Sequence, residues 1–153
     1  MDLNNKSELT RIMYDFAGHT MHRSMGNFFH FGRNNNLSIS QLIILNRLDK
    51  KGSASVSEIS QMLDISNSAV SQLLDKLVQM NFITRKENPE DRRIKYHTIT
   101  EQGRIIAEKS RSARVAWIDS LEPLFDPDET EMLTRAMTLI VKKLEQLEPE
   151  QEK

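Results

Sequence analysis

A mainly helical chain carrying one small β-hairpin is the fold class that this sequence predicts. Three observations predict it. Apolar residues recur at three- and four-residue spacing through most of the 153 positions. Helix-opening signatures recur as well: Ser38-x-x-Gln41, Ser55-x-x-Glu58 and Asp126-Pro127-Asp128-Glu129. Only two segments, 82–87 and 94–99, are rich in β-branched and aromatic residues, and the turn Asn88-Pro89-Glu90-Asp91 separates them.

In chain order, Leu9, Ile12, Met13, Phe16 and Thr20 predict a first helix from about Ser7 to His30, broken by Gly32 and the run Asn34–Asn36. The box at Ser38 opens a second helix to about Lys50, with Leu42, Leu45 and Leu48 inward and Gly52 as its terminator. The box at Ser55 opens a short third helix that buries Val56, Ile59, Met62 and Leu63. Asp64-Ile65-Ser66 makes a turn, and the Ser66 hydroxyl is placed to cap a fourth helix to about Met80. Its buried stripe is Ala69, Val70, Leu73, Leu74, Leu77 and Val78. After the hairpin, Thr100 caps a long helix whose face includes Ile106, Ala113, Val115, Trp117 and Leu121. At Asp126 an acceptor cap, a proline at the first position and two acids at the positive end of the dipole start the last helix. That helix carries Leu133, Ala136, Met137, Ile140, Leu144 and Leu147, and residues 149–153 form a fraying tail.

The length fits one domain that buries about 68–70% of its unfolded surface and needs no staple. Cysteine is absent, which removes disulfides, thiol nucleophiles and Cys-ligated zinc. The start MDLNNKSELTR is polar, and apolar runs such as Leu42–Leu45 and Val115–Ile118 are too short to span a bilayer. A cytoplasmic location without membrane contact is therefore expected. The net charge of −1 argues against a nonspecific nucleic-acid coat. Charge is nonetheless segregated. Arg85, Lys86, Arg92, Arg93 and Lys95 cluster on the hairpin, while the acids from Asp126 to Glu152 crowd the C-terminal part. Phosphate-binding loops, dinucleotide fingerprints and nucleophile elbows are missing, so no enzyme and no cofactor is expected.

Removing the buried stripe from the fourth helix leaves Asn67, Ser68, Ser71, Gln72, Asp75, Lys76 and Gln79. Near the helix start these are small or amide-bearing and uncharged, whereas an ordinary solvated face carries more Lys and Glu. Short side chains let a helix approach the floor of a DNA major groove, where Gln72 can pair bidentately with adenine. Asn67, Ser68, Ser71 and Gln72 are the expected base-reading residues. Ser66, at the anion-favouring helix start, Lys76 and Arg85 are expected on phosphates. The basic hairpin tip fits the negative potential of a minor groove: Arg92 and Arg93 enter, and Asp91 orients the Arg93 fork. A short helix, a tight turn, a second helix and a basic hairpin together predict a sequence-specific DNA binder. A protein-binding adaptor is the rival class, and the basic tip and small polar face oppose it.

At these residues the chain resembles the MarR family of winged helix-turn-helix regulators. The likeness rests on Val56-Ser57-Glu58-Ile59, Leu73–Leu77, Phe82-Ile83-Thr84-Arg85, and the wing signature Asp91-x-Arg93 leading to Ile99-Thr100. Asn81 stands where the family usually has glycine, and asparagine tolerates the left-handed backbone such a site needs. The resemblance implies a winged helix-turn-helix lobe at 37–100 and dimerisation helices at 1–36 and 101–148. It also implies a homodimer on a pseudo-palindromic operator, repression as the default outcome, and a small aromatic or phenolic effector. For that effector the expected lining is Met13, Phe16, His19, Met25, Phe28, Phe29, Leu45 and Trp117, a set of residues that also suits ordinary core. His19 and His22, three apart with His30 further along, leave a divalent-metal switch as the alternative. His97 is read as DNA-facing or structural.

Overall fold

The computed structural model describes residues 6–87 and 95–147. The chain divides into two compact units, residues 1–116 and 117–153. The first contains α1 (Glu8–Asn34), α2 (Ile39–Lys51), β1 (Ser53–Ser55), α3 (Val56–Leu63), α4 (Asn67–Gln79), β2 (Ile83–Glu87), β3 (Lys95–Ile99) and α5 (Glu101–Val115). The second contains α6 (Trp117–Leu121), a 3-10 turn at Glu122–Leu124 and α7 (Pro127–Leu144).

The expected start signals operate as caps. Ser38 with Gln41, Ser55 with Glu58, and Asp126 with Glu129 all form reciprocal capping boxes. Each satisfies two backbone donors that a helix end otherwise leaves free. The hydroxyls of Ser7, Ser66 and Thr100 accept from the amides of Thr10, Ala69 and Gly103.

Around α2 the core of the first unit is closed. Leu42, Ile44, Leu45, Val70 and Leu77 are fully buried, and Leu48, Ile59 and Leu74 nearly so. Each such side chain contributes about 1.5–3 kcal/mol over the exposed state. α5 packs on α1 and α2. Its contact stripe is small, Gly103, Ala107 and Ser110, so the helix axes approach closely. A three-stranded antiparallel sheet of order β1-β3-β2 closes the lobe.

Several expectations change. The first helix runs on to Asn34, because Gly32 is a packing residue and not a terminator. A Cβ there would stand 2.8 Å from the Leu37 carbonyl, and the reversal occurs at Asn36, with φ 54°. Strand β1 was not expected, since three residues carry no periodicity; β3 recruits them, pairing Ala54 with His97. Met62 is exposed, since α3 turns Ile59 to the core and leaves Met62 at its flank. The long helix after Thr100 stops at Val115, and Trp117 begins α6 in the second unit. In that unit α7 buries no residue; Met132, Met137, Leu139, Val141 and Leu144 are exposed. Along α1, Leu9, Ile12, Met13, Phe16, Met21 and Phe29 are exposed too.

Candidate nucleic-acid interface

The turn between α3 and α4 is built from short-range bonds. Asp64 takes the left-handed conformation, and the Ser60 hydroxyl donates to the Ile65 carbonyl at 2.6 Å. Ser66 then caps α4, accepting from the Ala69 amide at 3.2 Å and keeping its own hydroxyl proton available. Val70, Leu74 and Leu77, each at most 1% exposed, fix the rotation of α4 about its axis. Ser68, Gln72, Asp75 and Gln79 consequently face outward, with Ser71 half-buried among them. Ser71 donates its proton to the Asn67 carbonyl at 2.9 Å, which leaves its lone pairs to meet a donor. No acid lies in the first turn of α4, so the positive helix end and its free amides meet no carboxylate of their own turn.

Beside this face stands the hairpin. Arg85 on β2 donates from Nη1 to the Asp75 carboxylate on α4 at 3.3 Å, tying the sheet to the helix. Exposed pairs of this kind contribute about 0–1 kcal/mol, so the bond orients more than it stabilises. Lys76 is exposed on α4. Asp91, Arg92 and Arg93 lie outside the described residues. Beneath Arg85, His97 is buried at 2% exposure, with Nδ1 lacking a hydrogen-bond partner. Burial, then the neighbouring Arg85 charge, push its proton affinity below the usual imidazole value, while the Ala54 backbone and Asp75 pull weakly the other way. Of the two expectations for His97, the DNA-facing one is excluded by this burial.

Two further contacts join α5 to the lobe. At its start, the Thr100 hydroxyl lies 2.8 and 3.0 Å from the Asn81 and Phe82 carbonyls and accepts from the Gly103 amide. Asn81 there has φ 58°, the left-handed value expected of it. Midway along, Asn46 of α2 donates to the Ser110 hydroxyl at 3.0 Å, and Arg111 reaches both Asn46 and Asp49, the latter at 2.9 Å. Sequence reasoning singled out neither this polar bridge nor the Asp75–Arg85 pair, because both join residues distant in the chain. His97 was legible in part: period-two alternation along β3 places it on the core side with Ile99.

Comparison with known proteins matches this architecture. The MarR family model covers residues 37–95, from the residue before the cap of α2 to the start of β3. The HTH-type transcriptional repressor MdtR of Bacillus subtilis is 39% identical over 77 residues, 50% of this chain and 50% of that protein. The match therefore spans half of that relative's length. The crystal structure of the YusO protein from Bacillus subtilis superposes with a TM-score of 0.69 at 28% identity, covering 94% of this chain and 100% of that one. Over residues 37–95 the chain is similar to the MarR family. A mutant of S. aureus MepR bound to an oligodeoxyribonucleotide shares the fold, with a TM-score of 0.68 at 18% identity over 91% of this chain and 99% of that one.

Within this fold the eight residues expected to line an effector site are dispersed. Phe28 and Leu45 belong to the closed core, whereas Met13, Phe16 and Phe29 are exposed along α1. Met13 and Phe29 are separated by about 24 Å of helix at 1.5 Å per residue, too far to share one small cavity. His19 is exposed, Met25 half-buried, and Trp117 belongs to the second unit. A cleft of about 260 Å³ between the ends of α1 and α5 is lined by Asn27, His30, Phe31, Asn34 and Ala113 among others, none of them from that set. Among the described residues no three His, Cys, Asp or Glu side chains converge as metal ligands. His30 instead lies 3.2 Å from the Asn34 amide.

Proposed function

We propose that this chain is a MarR-type, sequence-specific DNA-binding transcriptional regulator that acts as a homodimer. One observation carries the reading: near its start α4 presents an uncharged, small polar face with no acid in the first turn, and Arg85 is held beside the helix. Asn67, Ser68, Ser71 and Gln72 meet base edges in the major groove. Ser66, Lys76 and Arg85 hold phosphates, and Asp91, Arg92 and Arg93 serve the minor groove. A MepR mutant that shares this fold was solved bound to an oligodeoxyribonucleotide, which is compatible with DNA as the partner.

The homodimer reading rests on the apolar residues that α1 and α7 leave uncovered, Leu9, Ile12, Phe16, Met132 and Leu139 among them. A second copy covers such faces at little cost and places two α4 helices on half-sites about 34–36 Å apart. Repression follows from a dimer occupying a promoter, and MdtR is named a repressor. A small aromatic effector that favours a DNA-incompetent spacing supplies the switch.

Selection of duplexes from a random pool, followed by binding at increasing salt, tests the reading. Affinity should fall steeply with salt through counterion release, and sedimentation should give a dimer. A monomer that ignores every duplex at low salt overturns it.

A further inference from the structure

A row of three side chains crosses the sheet beneath the root of the hairpin. Ala54 of β1 pairs with His97 of β3, and His97 pairs with Arg85 of β2. Directly opposed residues of an antiparallel ladder project to the same face. Ala54 and His97 are buried, whereas Arg85 reaches past the sheet edge to Asp75 of α4. An ordinary core histidine satisfies both ring nitrogens. This one leaves Nδ1 buried and unpartnered.

We propose that His97 is a positioning residue of the DNA interface: its neutral ring lets Arg85 lie across to Asp75, and DNA affinity falls when the ring takes a proton. The proposal rests on the DNA-binding reading above. An imidazolium at this place has a charged N–H at Nδ1 with no acceptor in reach, and a buried unpaired charge is strongly disfavoured. It also stands directly across from the Arg85 guanidinium, and like charges at opposed ladder positions repel.

Groups on every neighbouring element bear on the ring. β2 supplies Arg85 and β3 supplies Lys95, both cations; α4 supplies Asp75, the facing carboxylate; β1 contributes only the Ala54 backbone. α2 and α3 also pack on β3, and their Arg47 and Glu58 act on each other. Burial and two cations therefore outweigh the Ala54 backbone bond and one carboxylate, and the ring holds its proton less tightly than a free imidazole of value 6.5. Protonation is relieved by moving Arg85 off Asp75 or by turning the ring out of the sheet. Either movement uncouples β2 from the helix that reads DNA.

The sign follows from linkage. Affinity is intact above the ordinary imidazole value and declines as pH falls below it, where the ring takes its proton. If the displaced ring regains the ordinary value of 6.5, the dissociation constant rises by at most about tenfold between pH 7.5 and pH 5.5.

The test uses the full chain and a selected duplex, with anisotropy at pH 7.5, 6.5 and 5.5 and constant ionic strength. Wild type should lose affinity by three- to tenfold, while His97→Gln and Asp75→Asn should each vary by less than twofold. His97→Gln following the wild-type profile overturns the proposal. Asp75 is exposed, so Asp75→Asn serves even where His97→Gln fails to fold. A third readout needs no variant: the NMR titration midpoint of the His97 ring should fall when duplex is bound, because binding favours the neutral ring. A midpoint that stays or rises overturns the proposal. Absence of duplex binding at pH 7.5 strikes the DNA-binding reading itself, whereas binding with superimposable pH profiles strikes His97 alone.

Discussion

Gly103→Ala is expected to be severely destabilising although it adds only one methyl group. Gly103 sits in the first turn of α5, where a Cβ would lie 2.1 Å from the Phe82 carbonyl oxygen and 2.8 Å from Ile99 Cγ1. The first distance is about 1 Å inside any real contact, and backbone, not a flexible side-chain end, must give way. To relieve it α5 has to retreat from the α4–β2 corner. That retreat stretches the Thr100 cap, including its 3.0 Å amide bond to Phe82 and the 3.0 Å bond from the Gly103 amide. Overpacking contributes about 1–3 kcal/mol and a weakened cap about 0.5–2 kcal/mol, so the total is about 1.5–5 kcal/mol. For a chain of this size the melting temperature should fall by roughly 3–20 °C. Circular dichroism melts decide it, with Gly26→Ala as control. Gly26 has no atom within 4 Å of its would-be Cβ, so alanine there should add about 0.5–1 kcal/mol of helix stability. A Gly103→Ala melt within 2 °C of wild type would refute the packing of α5 against this corner.

The remaining predictions address the interface, the assembly and pH. Gln72→Ala should cost about 1–3 kcal/mol at particular base pairs and leave the fold intact. A uniform loss across all sequences in a competition assay would make Gln72 a phosphate contact instead. Phe16→Glu, on the exposed face of α1, should shift sedimentation toward monomer without lowering helix content; an unchanged dimer would place the interface elsewhere. Glu58 has its carboxyl held below the usual value by hydrogen bonds from the Ser55 amide and hydroxyl, helped by Arg47. It therefore stabilises the fold above its unfolded value of 4.5, and the contribution is lost as pH falls through the depressed one. Wild type should lose more stability than Glu58→Gln between pH 6 and pH 3, since glutamine keeps the box without titrating; parallel losses would exclude the cap as the cause.

Whatever is local was legible in the chain. Capping boxes, the left-handed Asn81, the buried stripe of α4 and its polar face all follow from residues within four positions of one another, and such neighbours meet through helix geometry alone. The wing signature at Asp91 and Arg93 is local too, and it carried the family resemblance. Packing decided the rest. Gly32 read as a breaker and Gly103 carried no sequence signal, but each is a close approach between segments that meet only in the folded molecule. Strand β1 exists because β3 offers it a ladder. Asp75 and Arg85 are ten positions apart, and Asn46 and Arg111 are 65, so no periodicity connects them. His97 shows the division in one residue: alternation along its strand turns it inward, while the missing partner for Nδ1 and the cation opposite it arise only when three strands and a helix close around the ring.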